Sequence, residues 1–146
     1  MDGAGTRVSL RGEAVNVGIA LAISGTRHPV TVAQVRDAAE FFHLDEPIVI
    51  YVGDQRGADT AAVAWAREEE IGFRIFRADW KRFGKPAGPL RNAEVIADAE
   101  CLLALPCVHS KGTIDCIKQA VASNLPVYVM PIICNAAADG GRKGKP

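Results

Sequence analysis

Ile48 to Asp59 reads IVIYVGDQRGAD, and the fold turns on how this stretch is read. Ile48 to Val52 is a largely apolar run, β-branched except for Tyr51. Gly53 breaks it, Asp54, Gln55 and Arg56 carry the chain to Gly57, and an alanine-rich amphipathic run from Thr60 to Glu70 follows. Continuous apolarity fits a parallel strand covered on both faces. A tight glycine turn and the N-terminus of a helix come next. In an open α/β sheet such a turn lies at the carboxyl edge of the strands, where ligands bind. Backbone N–H groups and the positive end of the helix dipole there suit an anion, typically a phosphate.

The same alternation extends outward in both directions. Before it, Val15 to Ser24 is a first strand, and Thr31 caps a helix from Val32 to Phe42. After it, Gly72 is a natural helix stop and Phe73 to Phe76 a third strand. Gly84, Pro86, Gly88 and Pro89 predict an irregular stretch, with helix resuming near Arg91. Cys101 to Leu105 is a fourth strand. A helix opens at Gly112-Thr113, with Ile114, Ile117, Ala120 and Val121 as its apolar stripe, and Asn124 stops it. Pro126 to Met130 is a fifth strand. Strands alternating with helices define an α/β class: a Rossmann-like, doubly wound parallel sheet of about five strands with helices on both faces. Residues 1–13 read as a flexible arm, in which Arg7 to Arg11 has the character of a short edge strand. Residues 14–134 read as the domain and 135–146 as a disordered tail.

The chain has 146 residues, enough for one domain. Lys plus Arg and Asp plus Glu both number 17, so no excess of basic residues drives bulk nucleic-acid binding. The four cysteines form no C-x-x-C pair and no zinc-type spacing with His28, His43 or His109, so neither metal nor cofactor is expected. Cys101 opens an apolar run and reads as core. The polar N-terminus has no apolar h-region, and the run Val15 to Ile23 is too short to span a membrane. These features predict a cytoplasmic protein with reduced thiols.

Loops leaving the carboxyl ends of the strands share one edge of such a sheet. They hold Gly25, Thr26 and Arg27, then Gly53 to Asp59, then the approach to Arg91-Asn92, then Ser110 to Asp115. Glycines admit a phosphate, arginine pairs with it, and a carboxylate or Asn bonds a ribose or base. Gly53, Arg56, Gly57 and Ala58 are the candidate phosphate loop. Asp59 and Asn92 would orient ribose or base, and Arg27, Arg91, Lys111, Gly112 and Thr113 would close the other side. Asp59 serves equally as a first-turn dipole partner, Thr113 and Asp115 as capping residues, and Asn92 as a cap.

The segments GDQRGAD, ADW, GKPAGPLRN and KGTID, in that order, resemble the YspA-like (cpYpsA-related) SLOG family, whose members read G-G-A-R-G-A-D, A-D-W, A-G-P-x-R-N and G-T-x-D. The likeness covers Val15 to Met130, and Asp54 stands where a second glycine is usual. It implies a Rossmann-like domain that binds a nucleotide or nucleotide-derived metabolite, as a sensor or sequestering domain. Ala104 to Asp115, ALPCVHSKGTID, is more loosely similar to the A-L-P-G-G-x-G-T-x-x-E of LOG-type phosphoribohydrolases. That second likeness implies an alternative activity, cleavage of the N-glycosidic bond of a nucleoside monophosphate, with Arg91 and Asp115 as catalytic residues. It also implies a homodimer or homo-oligomer. DNA-processing proteins share the superfamily fold, but the balanced charge and the lack of interleaved aromatic and basic residues argue against nucleic acid.

Overall fold

The computed structural model describes residues 6–8, 14–16 and 18–134. Its main sheet has five parallel strands: β3 (Ala20–Gly25), β4 (Val49–Val52), β5 (Gly72–Ile75), β6 (Cys101–Leu105) and β7 (Val127–Val129). Their spatial order is β5-β4-β3-β6-β7. The chain therefore builds outward from β3 in one direction, then returns to build outward in the other. The switch point lies between β3 and β6, where this class of sheet opens a crevice.

Helices α1 (Val32–Phe41) and α2 (Ala58–Glu68) pack on one face, and α4 (Ala87–Ala97) and α5 (Lys111–Ala122) on the other. The first face is the larger core, where Leu21, Ile23, Ile50, Val52, Leu103 and Leu105 meet Val35, Trp65 and the alanines of α2. The second joins Ala22, Leu102 and Ala104 to Val95, Ile96, Cys116 and Ala120. All five residues of β6 are buried, as its unbroken apolar run requires of a central parallel strand. Cys101 is buried in the first, larger core.

Several boundaries differ from the sequence expectation, each for a local reason. The first sheet strand begins at Ala20 rather than Val15. Ala14–Asn16 (β2) pairs antiparallel with Thr6–Val8 (β1) in a separate two-stranded sheet, so Arg7 and Val8 do not form an edge of the main sheet. The rest of residues 1–13 and the tail 135–146 lie outside the described residues. Gly72 opens β5 instead of ending α2; the left-handed residue after that helix is Glu70, at φ 58°. His43 and Asn124 hold the corresponding place after α1 and α5.

The stretch read as irregular contains a short helix, α3 (Trp80–Phe83), and the first turn of α4. Pro86 and Pro89 fall at the start of α4, where backbone N–H groups have no intrahelical partner to lose. Asn92 therefore lies inside a helix and is not its cap. On α5 the buried residues are Thr113, Cys116 and Ala120, while Ile114 and Val121 are exposed. The predicted stripe is rotated by about one position, because small side chains face the sheet.

Thr31 caps α1 as expected, and Gln34 completes a capping box that the sequence reading did not include. Gln34 N donates to Thr31 Oγ1 and Thr31 N to Gln34 Oε1. The start of α2 has no side-chain cap. Gly57 stands there at φ 85°, and a Cβ on it would come within 2.3 Å of Thr26 O. Substitution Gly57→Ala meets both left-handed strain and a backbone clash, and should cost about 3 kcal/mol or more. Gly112→Ala enters open space in the first turn of α5 and should be neutral or stabilising by up to about 1 kcal/mol. Urea midpoints of the two variants measure the contrast, and equal midpoints would contradict it.

Candidate functional site

A narrow cleft lies at the carboxyl edge of the sheet, with about 20 Å³ of enclosed room in this conformation. The end of β3 contributes Ile23, Ser24 and Gly25, and the turn after β4 contributes Gly53 and Gln55. Asp59 enters from α2, Arg91, Asn92 and Val95 from α4, and Gly112, Thr113 and Cys116 from α5. Four segments separated in sequence thus converge on one crevice beside the switch point.

Arg91 is the dominant charge. It is 6% exposed, and its Nη1 pairs with Asp54 Oδ1 at 2.5 Å. Its Nε donates to Asn92 Oδ1 at 3.2 Å. Arg91 itself is buried, and a guanidinium taken out of water needs an anion beside it. In this structure Asp54 supplies it from the turn after β4.

Asp59 is the second carboxylate of the cleft and is also buried. Desolvation pushes its pKa up from 3.8 to about 7, opposed by the hydrogen bond from Gln55 N and by the Arg91 charge. Its Oδ2 accepts from Gln55 N at 3.1 Å. Gly53 makes this arrangement fit. A Cβ there would lie 2.8 Å from Arg91 Nη1 and 2.9 Å from Asp59 Oδ2. The glycine is required where the strand passes between the arginine and the acid.

Asp115 is held differently. Its Oδ2 accepts from Asn92 Nδ2 at 2.9 Å and from Gln119 Nε2 at 2.8 Å. Asn92 Nδ2 also donates to Gly112 O, and Gln119 Nε2 to Pro89 O, so this network joins α4 to α5. Asp115 does not line the cleft.

Of the residues singled out in the sequence, Gly25, Gly53, Asp59, Arg91, Asn92, Gly112 and Thr113 meet in the cleft. Arg27, Arg56 and Lys111 are exposed and lie outside its lining. Ala58 is fully buried and its amide donates to Thr26 O at 2.9 Å, so that amide is already committed. Gly57 serves the crossing described above, and Thr26 is 1% exposed with its hydroxyl donating to Cys107 Sγ. The sequence did not reveal Ser24, Gln55 or Cys116 as lining residues, nor Asp54 as the partner of Arg91, 37 positions away. Burial pushes the Cys116 thiol up to about 11, so it enters the cleft as an uncharged group.

A second grouping lies on neighbouring loops. One ligating atom from each of His28, Cys107 and Cys134 falls within 4.8 Å of the others. Linear spacing concealed this cluster, since its members follow three different strands. Among the described residues, no helix is long and apolar enough to cross a membrane.

Fold and cleft together define an α/β protein of Rossmann-like topology with an arginine-centred site at the carboxyl edge of its sheet. The chain is 42% identical over 88 residues to the Gene 61 protein of Mycobacterium phage D29, an alignment covering 55% of this chain and 69% of the phage protein. The chain belongs to the family of that phage protein, whose name states no activity. No model of a known protein family matches the chain, and no solved structure matches it.

The raised pKa of Asp59 carries a signed prediction. Its folded value lies above its ordinary one, so the native state holds the proton longer. The associated stability is complete below about 3.8 and is lost as pH rises to about 7. Asp59→Asn keeps an acceptor for Gln55 N and removes the titration. Urea midpoints across that window should fall with pH in the parent more steeply than in the variant; parallel profiles would contradict the assignment.

Proposed function

We propose that the protein binds a nucleotide or nucleotide-derived metabolite at this cleft, as a SLOG-type sensor or sequestering domain. The observation that carries the reading is the buried Arg91 at the switch point, satisfied by a carboxylate on a turn. A phosphate can pair with the guanidinium bidentately and carries more charge than Asp54, so it can replace that carboxylate. With its proton retained, Asp59 donates a hydrogen bond to the incoming anion instead of repelling it. Ser24, Thr113 and Gln55 add polar groups suited to ribose hydroxyls or a base edge. The ordered resemblance of the four sequence motifs supports the same ligand class.

This reading differs from a simple glycine-loop phosphate site. The first amide of α2 is spent on Thr26, so the anion is recognised by Arg91 more than by the helix N-terminus. Asp54 and the ligand compete for that arginine. With nucleoside 5′-monophosphates as probes, Arg91→Ala should weaken binding at least tenfold by calorimetry. Asp54→Asn should strengthen it by about tenfold, equivalent to about 1.4 kcal/mol. Binding unchanged in both variants would remove Arg91 from the site.

A second reading is favoured by one observation, the buried carboxyl of Asp59 beside the arginine, whose pKa burial raises to about 7. A group titrating near 7 in a recessed cleft is suited to general acid work. In hydrolysis of a nucleoside monophosphate, the glycosidic C–N bond breaks, water adds its oxygen to C1′, and the base leaves with a proton. Asp59 supplies that proton, the attacking water gives up one of its own to the resulting Asp59 carboxylate, and Arg91 holds the phosphate. This places the acid at Asp59 instead of Asp115, whose carboxylate is engaged between α4 and α5. Incubation with a panel of monophosphates should release free base, and Asp59→Asn should lower the rate at least 100-fold, the scale of lost general acid catalysis. Binding without release of base would leave the sensor reading alone.

A further inference from the structure

We propose that His28, Cys107 and Cys134 form a site for a zinc-class divalent ion at the switch point of the sheet. Two thiols and an imidazole offer soft and borderline donors, the set that selects zinc over magnesium or calcium. Their ligating atoms lie within 4.8 Å of one another. In a tetrahedral zinc site with bonds of about 2.0–2.3 Å, donor atoms are roughly 3.3–3.8 Å apart, so closure needs only side-chain adjustment.

The surroundings of Cys107 are a second, independent observation. Its Sγ accepts from the Thr26 hydroxyl at 3.1 Å, from His109 N at 3.4 Å and from the Ser110 hydroxyl at 3.6 Å. Donors grouped around one sulfur are what a metal-bound thiolate requires of its outer shell. Thr26 serves two ligands at once, because the same hydroxyl accepts from His28 N at 3.0 Å. Ser110 Oγ accepts from Cys107 N at 2.9 Å, which fixes the loop that carries the thiol.

The third ligand is delivered by the chain beyond β7. Ile132 N donates to Pro106 O at 2.7 Å, and Ile132 is buried in the main core. This lays the segment along the loop after β6, and Cys134, two residues on, returns to Cys107. The ring centroid of His109 lies 5.5 Å from that of His28. Binding releases the thiol protons to solvent and uses neutral His28, so affinity falls as pH is lowered. The ion would clip together the loops after β3 and β6 and the segment after β7. This site is distinct from the arginine cleft and does not depend on the ligand proposed there.

The test uses the full chain prepared in reductant. Cobalt(II) should give one equivalent of a tetrahedral thiolate spectrum, and zinc should displace it. Competition with a chromophoric chelator should show zinc affinity lowered more than about 100-fold in Cys107→Ser and Cys134→Ser, beyond the loss caused by removing an outer-shell hydrogen bond. Zinc should raise the Tm of the parent and leave that of His28→Gln unchanged, a readout that survives if a cysteine variant fails to fold. A folded parent with no stoichiometric cobalt spectrum, a spectrum unaltered in Cys134→Ser, or a Cys107–Cys134 disulfide formed despite reductant would overturn the proposal.

Discussion

The carbonyl of Thr26 receives the amide of Ala58 at 2.9 Å, and the carboxyl edge of the sheet depends on that crossing. Thr26 N donates to Leu105 O, so one residue ties the end of β3 to the end of β6 and to the start of α2. The approach is closer than a side chain allows. Cβ atoms built on Gly25 and Gly57 would fall 2.6 Å from Ala58 Cβ and 2.3 Å from Thr26 O respectively. A glycine on each side, and an alanine opening the helix, are what let strand and helix meet. Gly57 takes a positive φ to do so, a conformation that a side chain would strain.

This crossing changes what the glycine turn contributes. In a generic phosphate loop, glycines expose helix amides to an anion. Here Gly57 and Ala58 are used to bring α2 against β3, and in the proposed site recognition would pass to the side chains that the crossing positions. Gly53 remains bare because Arg91 and Asp59 flank it. The resulting cleft sets one guanidinium against two acids. Burial, not hydrogen bonding, decides the state of Asp59, since its bond from Gln55 N favours the charged form and is outweighed by desolvation.

The fold was legible because each parallel strand carries its own apolar run, and β6 was read to the residue. Boundaries failed where a local rule had a tertiary rival. Gly72 obeys strand pairing instead of helix termination, Pro89 fits a first helical turn, and Val15 joins a hairpin outside the main sheet. The rotated stripe of α5 came from counting large apolar residues when small ones face the sheet. Site residues were legible where loops share the carboxyl edge, as with Gly53, Asp59, Arg91 and Gly112. The pairing of Asp54 with Arg91 and the meeting of His28, Cys107 and Cys134 were not, because they depend on which loops become neighbours across the switch point. Sequence spacing carries no record of that.

Thr26 also bears on how the two sites could communicate. Its backbone fixes the edge of the arginine cleft through Gly25 and Ala58, and its hydroxyl contacts the backbone of His28 and the sulfur of Cys107. A buried residue with every polar group engaged has little freedom to move alone. An ion held by the cysteines would therefore stiffen the β3 end of the cleft, while Asp54 and Arg56 on the turn across from it are exposed. In the proposed binding, an entering anion would displace chiefly Asp54, away from the stitched edge. The architecture separates a wall built on Thr26 from the Asp54 carboxylate that the proposed ligand would displace.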